Sequence, residues 1–223
     1  MRAARVIHDG LTEQELAEAF RGSDGKAGWR TPIRIGIVGR ITRWKGQHVF
    51  LEAASRLRAA GREDVRFVIV GAPLFGEEAY EQELRQMVER AGLAEQVEFL
   101  GFQEDVPAVL RGLDLLVHAS VTPEPFGQVV IEGMAAGLPA IGTDGGGVRE
   151  IITHGENGLL VPMGDAAALA RALEDLLGDP EKARRLALAG QAHVRAHFTA
   201  EQAARKIEQV YAEVLGFRSS PPA

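Results

Sequence analysis

A chain of 223 residues has room for one large α/β core and is too short for two domains of that kind. Its 46% apolar and 25% charged residues are an ordinary globular mix, and no apolar run approaches the roughly 20 residues of a membrane span. A net charge of −6 without basic clusters argues against nucleic acid and polybasic membrane binding, while the lack of cysteine excludes disulfides, thiolate metal sites and cysteine nucleophiles.

The basic start, Met1 to Arg5, has no long apolar run after it and is not read as a secretory signal. Residues 1–32 are read as a linker segment. They carry an amphipathic stretch over 12–20 and then a polar, Gly-rich stretch, 21–32, expected to be mobile. Short apolar strands are expected at 33–38, 65–70, 97–100, 113–118, 139–142 and 158–161, most without the polar alternation of a one-sided sheet. Helices are expected between them: at 47–60, on the stripe Tyr80, Leu84, Met87 and Ala91, from the Asp105 cap to Leu110, and at 127–136. Asp165 caps 166–177, Asp179-Pro180 opens a helix to about 196, and Thr199 with Gln202 forms a capping box for 199–215. Strand and helix in alternation predict parallel βαβ units: a doubly wound, six-stranded Rossmann-like sheet with extra C-terminal helices. Residues 219–223 are expected to be a disordered tail.

Ligands of such sheets bind beyond the carboxyl ends of the strands, so the loops there carry the argument. After the first strand, Gly39-Arg40 and Lys45-Gly46 place a planar guanidinium and a point charge in one loop. Two cations there suit a diphosphate, and they equally suit a solvated surface. After the fourth strand, Glu124 and Glu132 bracket a helix start at Phe126, Gly127 and Gln128, whose free N–H groups and dipole favour an anion. If wholly helical, the span between the glutamates would be roughly 12 Å, comparable to the reach from a hexose across a diphosphate to a ribose. Glu132 lies among Val129, Val130, Ile131 and Met134 and needs a partner if buried, either a ribose diol or an arginine. Glu124 is otherwise an exposed loop acid. Gly145-Gly146-Gly147 is a tight turn without the dinucleotide or P-loop spacing, and Glu150 caps or anchors it. Gly71, Phe102, Ser120 and Thr122 border the crevice, and His118 reads as a satisfied structural histidine. No D-x-D triplet and no histidine pair of zinc spacing is counted, so neither a dedicated metal site nor a cofactor is expected.

Taken in order, these residues resemble the C-terminal domain of the GT-B glycosyltransferases of family 4, the retaining type, over nearly the whole chain. Gly39-Arg40 with Lys45-Gly46 is similar to that family's phosphate loop, and Glu124 to Glu132 to its E-x7-E motif. Residues 133–139 resemble its E-A-M-A-x-G-x-P segment, with Gly133 where Ala is usual. Gly146-Gly147, Glu150 and 157–161 resemble its closing signature, with Arg149 in place of a common Pro. The resemblance implies that Arg40 and Lys45 stabilise a donor diphosphate and that Glu124 binds the donor sugar, these three being the catalytic set. It implies Glu132 on the ribose, backbone contacts at Phe126, Gly127 and Gln128, and further donor contacts from Gly39, Gly71, Phe102 and Ser120. The donor is a UDP-, GDP- or ADP-sugar.

Residues 6–10 resemble the interdomain crossover of the family, so 33–198 is the donor domain and 199–218 the helix that packs on an absent N-terminal, acceptor-binding domain. That implies a cytoplasmic hexosyltransferase, inactive without its other half and self-associating through the exposed interdomain face. The alternative is a stand-alone nucleotide-binding or regulatory module, or one subunit of a split enzyme. An epimerase lacks acid and base residues here, and a nicotinamide dehydrogenase lacks its glycine fingerprint.

Overall fold

The expected strands come together as one parallel sheet in the computed structural model of the protein, which describes residues 5–20 and 29–215. The strands are β1 (Ile33–Val38), β2 (Val65–Val70), β3 (Val97–Gly101), β4 (Leu115–Val117), β5 (Ala140–Thr143) and β6 (Leu159–Val161). Their order is β3-β2-β1-β4-β5-β6, with every pairing parallel. The helices are α1 (Glu13–Ala19), α2 (Gln47–Ala59), α3 (Glu78–Arg90), α4 (Val106–Arg111), α5 (Gln128–Ala135), α6 (Val148–Ile151), α7 (Ala166–Gly178), α8 (Pro180–His197) and α9 (Ala200–Leu215).

The sheet is covered on both faces because alternate strand residues point opposite ways. Ile35, Ile37, Phe67, Ile69, Leu115 and Val117 pack with Phe50 of α2, Leu84 of α3 and Leu173 of α7. Val38, Val68, Val70 and Leu116 pack on the other side with Leu110 of α4. This is why the strands read as near-continuous apolar runs. β3 is an edge strand and is only partly buried.

The helix starts follow their caps: Asp105, Asp165 and Asp179 accept from the backbone N–H of Ala108, Ala168 and Lys182. β4 begins two residues later than the sequence suggests. Leu113 donates into a turn to Leu110, and the buried Asp114 carboxylate accepts from the Arg34 N–H and from Arg30. Thr199 does accept from the Gln202 N–H, but the Gln202 side chain turns to the Ala196 carbonyl, so the box is half formed.

Two expectations about the N-terminal segment change. Of the stretch expected to be mobile, residues 21–28 lie outside the described residues. The rest is anchored: Trp29 packs on the core and donates to the Leu177 carbonyl, and Arg30 pairs with Asp114. Upstream, Leu11 is buried and exchanges backbone hydrogen bonds with Phe198 and Ala200, while α1 packs among α4 and α5. The tail 219–223 lies outside the described residues.

Candidate active site

Parallel sheets open a crevice where the strand order reverses, here between β1 and its neighbour β4. The loop after β1 ends in a short 3₁₀ turn, Arg43–Lys45, and the loop after β4 runs to Gly127. They are joined by the Val121 N–H donating to the Trp44 carbonyl. Gly46 sits at φ 75° directly over Ala119, and any Cβ there would overlap the Ala119 carbonyl oxygen. A glycine at that position lets the two loops approach closely enough for their side chains to meet.

They meet at Glu124. Lys45 Nζ donates to Glu124 Oε1 at 2.6 Å. On the other carboxylate oxygen, His118 Nε2 lies at 2.6 Å and Ser120 Oγ donates at 2.8 Å. Thr143, at the end of β5, places its hydroxyl 3.2 Å from His118 Nδ1. Burial pushes the Glu124 carboxyl pKa up, but the hydrogen bonds from His118 and Lys45, with the charge of Lys45, outweigh it and hold the group down at about 2. Glu124 is therefore ionised at any physiological pH.

The glycine triplet supports this carboxylate from below. The Gly147 N–H donates to the Glu124 carbonyl at 2.9 Å. A Cβ on Gly146, at φ 60°, would overlap that same carbonyl oxygen, and one on Gly147 would lie 2.6 Å from Phe126 Cα. The turn's role is thus backbone packing beneath the Glu124 loop. Its neighbour Glu150 pairs with His8 at 2.6 Å rather than capping the turn.

The other sequence-derived positions take different places. Arg40 lies between two rings, 5.9 Å from the Trp44 centroid and 5.7 Å from that of Phe75. Gly39 and Gly71 touch backbone to backbone, where the β1 and β2 loops leave the sheet. The Phe102 ring is exposed. Gly127 is left-handed, so the helix begins at Gln128 and the span from Glu124 is not wholly helical. The Phe126 ring turns away from Glu124, stacking on His8 and packing against Phe198.

Glu132 does not join the Glu124 cluster. It faces a cleft of about 170 Å³ between α1, α4 and α5, with Leu11, Glu15, Val106, Leu110 and Ala136 on its walls. Burial, with the nearby Glu15 charge, raises its pKa against the opposing hydrogen bond from Gln128. Gly133 does not loosen α5 as a missing methyl would, because the Leu116 side chain fills the space a Cβ would take.

Sequence reasoning passed over two members of the cluster. His118 read as structural and Thr143 drew no notice. The usable signal was positional: both are buried polar residues at the carboxyl end of a strand otherwise apolar. His193 and His197 also correct the metal reading. They stand four residues apart on α8 with ring centroids 4.7 Å apart. Among the described residues, no group of three His, Cys, Asp or Glu is placed to hold a metal ion. No helix among them is long and apolar enough to cross a membrane.

Residues 24–193 match the family model described as Glycosyl transferases group 1. The chain is 32% identical over 183 residues to the lipopolysaccharide core biosynthesis mannosyltransferase LpsB of Rhizobium meliloti, covering 81% of this chain and 52% of that protein. It superposes on Anabaena Alr3699/HepE in complex with UDP-glucose with a TM-score of 0.80 and 30% identity, covering 94% of this chain and 57% of that one. The C-terminal domain of a glycosyl transferase group 1 family protein (LpcC) from Francisella tularensis matches with a TM-score of 0.69 and 31% identity, over 84% of this chain and 94% of that one. The chain spans about half the length of the curated relatives it matches.

Proposed function

The chain belongs to the group 1 glycosyl transferases, and on that premise we propose that the β1–β4 crevice binds a nucleoside diphosphate sugar. The observation that carries this reading is the meeting of Lys45 and Glu124 across the point where the strand order reverses. A cation and an ionised carboxylate held there match the two ends of such a donor. The ammonium of Lys45 and the guanidinium of Arg40 take the diphosphate, with the free N–H groups at the start of α5. The Glu124 carboxylate accepts from sugar hydroxyls, and Glu132 accepts from a ribose diol in its half-buried cleft. The UDP-glucose named for the HepE structure supports a donor of this class.

The reaction is transfer of a hexosyl group with retention of configuration. The cations stabilise charge on the departing diphosphate, which is the largest electrostatic demand of the step. The acceptor binds on a second, N-terminal domain of the whole protein, and turnover needs both. The apolar stripe of α9, with Ile207, Tyr211, Val214 and Leu215 exposed, is the surface that would meet that domain.

Calorimetric titration with UDP, GDP and ADP and their sugar conjugates tests the reading. One base should bind, and Lys45→Ala should weaken that binding roughly tenfold or more, as loss of a charge-assisted phosphate contact does. A folded chain that binds none of them contradicts it.

A further inference from the structure

Glu124 reaches the crevice with three of its acceptor positions in use. A carboxylate has about four lone-pair sites. Oε1 takes Lys45, and Oε2 takes both His118 and Ser120. Yet, on the reading above, this same carboxylate must accept from a donor sugar. One site on Oε1 stays open beside Lys45, so a sugar that presents two hydroxyls displaces one of the three partners.

The candidates differ in what holds them. His118 and Ser120 are buried at the end of β4, 4% and 1% exposed. Lys45 sits across the crevice on a flexible stem, and its ammonium is drawn more strongly to the charge of a diphosphate than to one carboxylate. Its departure leaves Oε1 free for a hydroxyl. It also leaves Glu124 with His118 and Ser120 alone, so the carboxylate stays in place only if the Oε2 contacts persist.

Those contacts depend on one proton. An ionised carboxylate only accepts, so the bond at 2.6 Å requires a hydrogen on His118 Nε2. In a neutral ring Nδ1 is then an acceptor, and the Thr143 hydroxyl, 3.2 Å away and buried, is its donor. Without that hydroxyl the ring that donates to Glu124 keeps a buried, unpaired Nδ1, and the tautomer facing Glu124 loses one of its two supports.

We propose that His118 and Thr143 are positioning residues for the donor sugar: Thr143 satisfies Nδ1 and so steadies the His118 tautomer that Glu124 requires, and His118 holds Glu124 when Lys45 transfers to the diphosphate. The proposal rests on the donor-site reading above. Binding is thereby ordered within the site. The diphosphate engages first, and the sugar contact is completed by the carboxylate it uncovers.

The measurable quantity is the sugar increment, the ratio of affinities for a nucleotide sugar and its parent diphosphate. It is read by calorimetry on this chain with UDP and UDP-glucose, GDP and GDP-mannose, and ADP and ADP-glucose. Thr143→Val keeps the β-branched shape and removes the hydroxyl. It should cut the increment roughly 3- to 10-fold, one hydrogen bond's worth, with diphosphate affinity unchanged. Thr143→Ser should restore it. A merely structural Thr143 predicts the reverse, with Val harmless and Ser weakening both ligands. Nitrogen NMR of the His118 ring should show the Nε2–H tautomer in the parent chain and a larger share of the other tautomer in Thr143→Val. An increment lost in Glu124→Gln but intact in Thr143→Val overturns this proposal alone. An increment absent from the parent chain for every pair, or kept by Glu124→Gln, overturns the donor-site reading and this proposal with it.

Discussion

Glu124 and Glu132 share one motif and carry opposite electrostatics. Glu124 is more acidic when folded than when unfolded, so it contributes stability above its ordinary value of 4.5, and that contribution is lost as the pH falls through about 2. Glu132 is less acidic when folded, because burial and the Glu15 charge disfavour its ionised form. Its ionisation therefore opposes folding, and stability falls as the pH rises above the ordinary carboxylate value. The two isosteric variants should then diverge at pH 7. Glu124→Gln should lower stability in urea by about 1–3 kcal/mol, leaving Lys45 unpaired, and should flatten the acid limb of stability against pH. Glu132→Gln should raise the melting temperature. Calorimetric melts from pH 3 to 8 check both, and a Glu132→Gln chain that melts lower at pH 7 contradicts the assignment. The glutamates themselves were legible in the sequence, from their spacing beside a strand end. Their electrostatics were not, because Lys45 and His118 follow different strands and Glu15 comes from another helix.

At the scale of elements, the Glu124 loop is held by backbone contact as well as by side chains. Gly146 lies against the Glu124 carbonyl in a left-handed conformation, and Gly147 donates to it. Gly146→Ala has to move that loop, at roughly 2–4 kcal/mol, and should weaken nucleotide-sugar binding as well. Gly164 is the control. It is also left-handed, at φ 76°, but a Cβ there meets nothing within 4 Å. Gly164→Ala should cost only about 1–2 kcal/mol and leave binding unchanged. Equal losses in both variants would show that conformation, not loop contact, is the cost. The triplet was visible in the sequence as a turn, but what it packs on was not, since the contact spans the β4–α5–β5 crossover. α6 was missed outright: a four-residue helix is too short to show a period. The larger helices were legible from aspartate caps and apolar stripes.

At the scale of the molecule, among the described residues, the sheet and its covering helices leave the amphipathic α9 outside the core. No residue of α9 is buried, and Ile207, Tyr211, Val214 and Leu215 are 40%, 62%, 78% and 67% exposed. An apolar stripe of that kind associates with whatever covers it. The chain by itself should therefore sediment with a concentration-dependent mass. The double variant Tyr211→Glu, Val214→Glu should return it to a monomer with an unchanged melting temperature. A parent chain that sediments as a monomer up to high micromolar concentration would contradict this.

The order of apolar runs, caps and glycines along the chain determined the strands, most helices and the doubly wound class, because each depends on residues within a few positions of one another. It also determined that the loops after the strands share one edge, since every strand of a parallel sheet runs the same way. What only the tertiary structure decided is which of those loop residues touch. Lys45 reaches Glu124, His118 and Thr143 stand behind it, Phe126 turns back to His8, and Glu132 faces a separate cleft. Such contacts join strand ends far apart in sequence, and only the closing of β1, β4 and β5 into one sheet brings them within hydrogen-bond reach.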